Sequence, residues 1–199
     1  MRALIATLVV ALIGGAVLWH ATDGARAITA EGARRLYASE KKPLMLAVDL
    51  RDMSAATVPL EAPPGGVALV EFVYTSCPTI CRSAGEAFWQ LKQKLTAENL
   101  THKAKLFSVS FDPEHDDREA LAEYARNHRA DGRIWNVAAP VAADLPRLLE
   151  SYKVTVISDE FGGFEHNVAI HLIDDQGRLR GIFDIDDVPS VIEAVRKWR

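Results

Sequence analysis

The chain of 199 residues has little cysteine and little methionine, and it has no internal repeat, no low-complexity tract and no basic stripe. The apolar share of 49% and the charged share of 25% are those of a globular protein, which excludes a disordered chain or a repeat array. The missing basic stripe, with a net charge of −4, argues against a nucleic-acid partner. At this length we expect one domain with a short appendage.

One long run without charge stands at the N-terminus. Residues 3–19, "ALIATLVVALIGGAVLW", follow Arg2. Their length lies between the apolar core of a secretory signal, about 7 to 15 residues, and a membrane-spanning helix of about 20 residues. The stretch Ala25-Arg26-Ala27 offers a cleavage site if residues 1–27 are a signal, and without cleavage the segment is an anchor. Both alternatives predict export of residues 28–199.

The exported part divides into a polar tether, residues 28–43 with a short helix over 29–40, and a folded domain, residues 44–199. In the domain we predict strands over 44–50, 57–60, 67–74, 104–111 and 133–140, helices from 84, within 112–128, over 145–149 and over 189–198, and a hairpin over 168–185. The buried strand at 67–74 passes straight into a helix, with a cysteine pair at the junction. This order predicts an α/β fold, a thioredoxin-like mixed sheet flanked by helices.

Both cysteines of the chain, Cys77 and Cys81, lie at that junction. As a structural disulfide they would close a short loop worth only about 2 kcal/mol in the chain-entropy model. If residues 79 onward are helical, a spacing of four places both sulfurs on one face. The helix N-terminus and Arg82 favour thiolates, which suit disulfide exchange and the binding of a soft metal equally well.

A metal site of this kind needs a third ligand, and the six histidines are the candidates. We interpret His20 as part of the export segment and His171 as packed or partly buried inside a strand. We interpret the other three as ordinary surface residues, in polar loops or near a helix end: His102, His115 and His128. His166 differs, because it follows a glycine-containing segment and directly precedes a predicted strand. Its imidazole can therefore be presented at the edge of the sheet, although the residues alone leave a structural role open.

Three blocks, "YTSCPTIC", "SVSFDPEHDDREALAEYA" and "HNVAIHLIDDQG", resemble those of the Sco/SenC family in order and spacing, within a match from about Leu46 to Trp198. That family comprises membrane-tethered, thioredoxin-fold copper proteins. The resemblance implies that Cys77, Cys81 and His166 form a copper site that binds Cu(I), with His166 helping to hold Cu(II). It also implies delivery of copper to the dinuclear copper centre of cytochrome c oxidase.

The resemblance further implies three partners: the copper-receiving oxidase subunit, a thioredoxin-like reductant, and the bacterial inner membrane through the N-terminal helix. The domain would face the periplasm, on a single anchor or exported after cleavage near Ala27. The sequence departs from the family pattern at Thr79 and Arg82, where an acidic residue and a proline are common. It has no Met-rich tract, so we expect no accessory copper store.

The rival interpretation is an extracytoplasmic thiol:disulfide oxidoreductase that uses Cys77 and Cys81 to reduce cysteines of an oxidase subunit. Thioredoxin-type reductases carry a proline just before the strand that faces the cysteines, and here Glu165-His166-Asn167 occupies that place. The missing proline favours the metal site. Peroxide reduction lacks a separate peroxidatic cysteine, and a non-catalytic interaction module remains a further class.

Overall fold

The computed structural model describes residues 2–77, 80–159 and 163–198, without the side chains of residues 80–82. The chain forms two compact units, Met1–Lys41 and Lys42–Arg199. The boundaries predicted after residues 27 and 43 stay predictions, because a compact unit is not the same thing as a processed segment or a tether.

The first unit contains two helices, α1 (Arg2–Ala21) and α2 (Ala30–Lys41). Helix α1 has no buried residue and contains an apolar window of mean hydropathy 2.1. Within the described residues it is the one helix long and apolar enough to cross a membrane, a property that anchors and signal sequences share. Helix α2 confirms the short helix predicted over residues 29–40.

The second unit contains nine described strands and four described helices. The strands are β1 (Asp49–Asp52), β2 (Thr57–Pro59), β3 (Val67–Val73), β4 (Ala104–Ser110), β5 (Trp135–Pro140), β6 (Val156–Ser158), β7 (Phe164–His166), β8 (Ile170–Asp174) and β9 (Leu179–Phe183). The helices are α3 (Ile80–Ala97), α4 (Arg118–His128), α5 (Leu145–Tyr152) and α6 (Val188–Lys197).

Within the described chain, seven strands form one sheet in the order β2-β1-β5-β4-β3-β8-β9. The central pairs β3·β4 and β4·β5 are parallel, and the other pairs are antiparallel. Strand β3 is buried along its whole length, as expected for a strand covered on both faces. The mixed sheet flanked by helices confirms the predicted fold class.

Each face of β3 packs against different helices, because successive side chains of a strand point to opposite faces. On one face Val67 and Leu69 join a core with apolar residues of α3 and α6, among them Phe88, Leu91, Leu95, Val191, Ile192 and Val195. On the other face the ring of Phe72 lies 5.1 Å from that of Tyr152, in α5. The helical stripe predicted from residue 84 therefore does face the sheet.

One prediction at the strand level was wrong, and one pair of strands was missed. The strand predicted over residues 44–50 begins only at Asp49, and before it only Leu44 makes a bridge, to Arg178. The ribbon of β6 and β7 was not predicted. Its two three-residue strands pair with each other and are separate from the seven-stranded sheet.

A buried carboxyl group lies in the middle of the parallel sheet. Glu71 faces its cross-strand neighbour Ser108, whose hydroxyl donates to Glu71 Oε1 at 2.5 Å. Trp135 Nε1 in turn donates to Ser108 Oγ at 2.9 Å. Oε2 of Glu71 is buried with no partner among the described residues. Burial raises the pKa of Glu71 from 4.5 to about 8, although the bond from Ser108 acts in the opposite direction.

Because the pKa of Glu71 is raised, we expect the free energy of unfolding to fall as the pH rises. Below about pH 4.5 both states hold the proton; above it the unfolded chain releases the proton first, so folding becomes less favourable until the native carboxyl titrates near pH 8. The group then lowers the free energy of unfolding by about 1.4 kcal/mol per pH unit at most. We expect Glu71→Gln to remove that slope in urea unfolding between about pH 5 and about pH 8.

The matched control is Glu123→Gln, at an exposed glutamate of α4, which should retain the slope. A Glu71→Gln chain with the wild-type slope would contradict the assignment.

Candidate functional site

The first cysteine lies in the turn that follows β3. The amide of Cys77 donates to the carbonyl of Tyr74 at 3.3 Å, and the residue is half-buried. Helix α3 begins at Ile80, so Cys77 precedes the helix and Cys81 stands in its first turn. Helical spacing therefore does not place the two sulfurs on one face as predicted, because Cys77 lies outside the helix. The side chains of Cys81 and Arg82, and the whole of Thr79, lie outside the described residues.

A buried carboxylate holds this turn. Asp116, which is 3% exposed, accepts the amide of Thr75 at 2.9 Å and the hydroxyl of Thr75 at 2.6 Å. It also accepts the hydroxyl of Ser110, the last residue of β4, at 2.6 Å. Three bonds to one buried carboxylate satisfy most of its lone pairs, which is what makes its burial tolerable. Nothing in the residue types of this acidic loop indicates that the aspartate is buried.

His166 is the last residue of β7 and does not directly precede β8, which begins at Ile170. Its ring centroid lies 4.8 Å from that of Phe111. Both ring nitrogens are buried and have no hydrogen-bond partner among the described residues. Burial lowers the pKa of His166 below its ordinary value, although the nearby backbone of Asn167 acts in the opposite direction, so the imidazole is neutral at pH 7. A neutral imidazole is the form that binds metals.

Aromatic rings attach the β6–β7 ribbon to the end of the sheet. The ring of Phe164 lies 5.2 Å from Tyr74 and 5.5 Å from Phe111. The rings of Tyr74 and Phe111 are 5.3 Å apart, and the amide of Phe164 points to the Tyr74 hydroxyl at 3.4 Å. Such edge and tilted contacts contribute about 0.5–1.5 kcal/mol each beyond the area that they bury. They bring His166 to the edge at which β3 and β4 end.

The other histidines of the second unit have structural or surface positions. His171 is buried beside Phe72 and Tyr152, with Nδ1 3.2 Å from the carbonyl of Val70, which confirms its packing role. His102 and His115 are exposed, as predicted.

The surface role predicted for His128 was wrong. This residue is half-buried, with its ring 4.4 Å from that of Tyr124. It also packs on α3 at Gly85, where an added Cβ would lie 2.3 Å from His128 Nδ1. Only a glycine at position 85 leaves room for this ring.

Of the three predicted metal ligands, the structure describes the side chains of Cys77 and His166. Among the side chains that the structure describes, no three His, Cys, Asp or Glu groups come together as a metal site. The predicted set includes the side chain of Cys81, which lies outside that description. The set of Cys77, Cys81 and His166 therefore stays a prediction.

The two histidines His166 and His115 should titrate on opposite sides of the ordinary value of 6.5. Burial lowers the pKa of His166. The exposed ring of His115 donates from Nδ1 to the carboxylate of Asp112 at 2.8 Å, and this bond raises the pKa of His115. We expect an NMR titration of the imidazole Cε1–H signals of the metal-free, reduced chain to give this order. Assignment by the variants His166→Gln and His115→Gln is the control, and an inverted order would contradict the buried setting of His166.

Comparison with known proteins places these observations in a family. Residues 38–198 match the family model described as SCO1/SenC. The SCO1 protein homolog of Bacillus subtilis is 32% identical over 99 residues, which are 48% of this chain and 50% of that protein. The mitochondrial SCO2 homolog of Mus musculus is 25% identical over 136 residues, 67% of this chain and 53% of that protein. The matches thus span about half the length of these curated relatives.

Solved structures show the same fold at low sequence identity. A SCO1/SenC family lipoprotein from Bacillus anthracis superposes with a TM-score of 0.71 at 19% identity, over 81% of this chain and 99% of that one. Copper-bound ScoI of Bradyrhizobium japonicum gives 0.66 at 19% identity, over 79% and 100%. BsSco, described with a disulfide switch, gives 0.67 at 22% identity, over 78% and 92%. Because the family model covers most of the chain, the chain belongs to the SCO1/SenC family.

Proposed function

We propose that the second unit is a copper-binding chaperone that delivers copper to, or matures, the dinuclear copper site of cytochrome c oxidase. Cys77, Cys81 and His166 would hold the copper. One observation carries the proposal: both ring nitrogens of His166 are buried and have no hydrogen-bond partner among the described residues, at the edge where the turn of Cys77 also lies.

Burial of an imidazole is costly when neither ring nitrogen has a hydrogen bond of ordinary geometry, since the polar atoms have lost water. Coordination of a metal ion satisfies one of the two nitrogens. The lowered pKa of His166 removes the competing proton, so the ligand needs no deprotonation at neutral pH. The burial and the lowered pKa of His166 are therefore those expected of a metal ligand.

The donor set decides which metal fits. Two cysteine sulfurs are soft ligands that select Cu(I), and an imidazole suits either oxidation state of copper. Oxidation of Cys77 and Cys81 to a disulfide would remove both sulfur donors, so release of copper and the redox state of the thiols would be coupled. The relatives support this choice, because ScoI of Bradyrhizobium japonicum was crystallised with copper bound.

For the location we propose the periplasmic side of the bacterial inner membrane. Helix α1 would be a single anchor, and cleavage near Ala27 is the alternative. The partners would be the copper-receiving subunit of cytochrome c oxidase and a thioredoxin-like reductant. BsSco is described as a member of a family of cytochrome c oxidase assembly proteins, which supports the first of these partners.

A second candidate function is thiol:disulfide exchange with an oxidase subunit. The thioredoxin-like sheet with two cysteines after its central strand favours it, and so does the disulfide switch described for BsSco. In this function Cys77 and Cys81 would pass electrons to a partner disulfide, and His166 would have no role as a ligand.

Copper titration tests the first function. The reduced chain should bind one equivalent of Cu(I) in competition with a chelator. We expect Cys77→Ser and Cys81→Ser to lose this binding, because each removes a sulfur donor. His166→Ala should weaken it by at least on the order of tenfold, the low end of what removal of groups around a metal site costs. His115→Ala, at an exposed histidine, is the matched control and should bind as the wild type does.

Unaltered Cu(I) binding in any of the three ligand variants would contradict the copper function. Turnover in disulfide reduction that survives His166→Ala, in a chain that retains no copper, would support the second function instead. Oxidase assembly that survives replacement of both cysteines would support an interaction module.

The location can be tested separately. With α1 as an anchor, the protein should stay in bacterial membranes during carbonate extraction, and the mature chain should retain residues 1–27. A deletion of residues 3–19 should leave the second unit in the soluble fraction. A mature protein that begins at Ile28 would contradict the anchor and support a cleaved signal.

A further inference from the structure

The carboxylate of Asp116 connects the two halves of the candidate site. It accepts both the amide and the hydroxyl of Thr75, two residues before Cys77, at 2.9 and 2.6 Å. It accepts the hydroxyl of Ser110 at 2.6 Å, one residue before Phe111, whose ring touches His166. We propose that Asp116 is a positioning residue, which holds the turn of Cys77 so that its sulfur can meet that of Cys81. The proposal rests on the proposed use of Cys77.

The bonds at Thr75 restrain the turn at two points. The amide bond fixes the backbone, and the hydroxyl bond fixes the side chain on the same carboxylate. The turn then closes by the bond from the amide of Cys77 to the carbonyl of Tyr74. Tyr74 itself is buried at 5% exposure. Cys77 therefore follows a segment in which Tyr74 is buried and Thr75 is held by two hydrogen bonds.

The loop of Asp116 is itself rigidly connected to β4. The amide of Asp116 donates to the carbonyl of Asp112 at 2.8 Å, and the amide of Asp112 donates to Ser110 Oγ at 3.0 Å. Hydrogen bonds thus close the loop that carries Asp116 and attach it to the end of β4. The restraint on Cys77 therefore comes from the sheet. Buried hydrogen-bond networks of this kind specify one arrangement of the groups that they join.

The restraint has a measurable chemical consequence. In the exchange of the reduced chain with glutathione disulfide, the two protein thiols lose two electrons and two protons, and one protein S–S bond forms. The S–S bond of glutathione disulfide breaks and yields two glutathione thiols. The equilibrium constant measures the effective concentration of one protein thiol at the other. A loosened turn lowers this effective concentration, whether or not copper binds.

The experiment uses the full-length, metal-free chain in detergent with glutathione redox buffers. We expect Asp116→Asn to lower the equilibrium constant on the order of tenfold, as expected when a reacting group loses its fixed position. The side-chain amide of asparagine replaces one acceptor oxygen by an NH2 group, which cannot accept the bonds that Thr75 and Ser110 donate. Thr75→Val, which keeps the shape and removes the hydroxyl, should have an effect of the same direction. Thr75→Ser keeps the hydroxyl that Thr75→Val removes, and its equilibrium constant should return to that of the wild type.

Asp117→Asn is the matched control, because it makes the same substitution one residue later at the exposed N-cap of α4. It should leave the constant within about twofold of the wild type, since asparagine caps helices as well as aspartate does. Circular dichroism establishes that each variant is folded, and Thr75→Val serves if Asp116→Asn is not.

Equal constants in the wild type, Asp116→Asn and Thr75→Val would overturn the proposal. So would an equal loss in Asp117→Asn, a failure of Thr75→Ser to restore the constant, or a wild-type chain that forms no disulfide between Cys77 and Cys81. Cu(I) affinity, measured in the same variants, separates this proposal from the copper function. If the wild type binds no Cu(I), the copper function fails, and the thiol equilibrium still decides the role of Asp116.

Discussion

The parallel pairing of β3 with β4 is the constraint on which the candidate site depends. Val73 and Ser110, the last residues of these strands, lie opposite each other, so both strands end at one edge of the sheet. Phe111, which continues from β4, donates its amide to the carbonyl of Val73 at 2.9 Å. One backbone hydrogen bond therefore joins the strand end that leads to Cys77 and the residue whose ring contacts His166. Ligand sites of open α/β sheets gather at such carboxyl ends for this reason.

The sequence predicted the elements that build this edge. The apolar run over residues 67–74, the helical period after it and the next strand all appear within a few residues of their predicted bounds. Their signals are strong because each element buries a long regular stripe. The β6–β7 ribbon gave no such signal, since strands of three residues are too short to show alternation. His166 was therefore predicted before a strand, whereas it ends one.

The electrostatic features of the site could not be predicted from residue types. Asp116 and Asp117 are neighbours of the same type, yet the first is buried and accepts three bonds from β4 and the cysteine turn, and the second is exposed as a helix cap. Only the tertiary fold distinguishes them. Glu71 is similar: in the sequence it interrupts an apolar strand, and in the fold it is a buried acid that shares a hydrogen bond with Ser108.

Because the β6–β7 ribbon is separate from the main sheet, the proposed sulfur and nitrogen ligands are held by different kinds of contact. Directional hydrogen bonds to a carboxylate restrain the approach to the first sulfur, whereas the imidazole of His166 rests on ring contacts, which tolerate sliding and tilting. Cuprous and cupric ions favour different numbers and arrangements of ligands. In the proposed copper site, the adjustment between the two oxidation states would fall on His166, while the turn of Cys77 keeps its place.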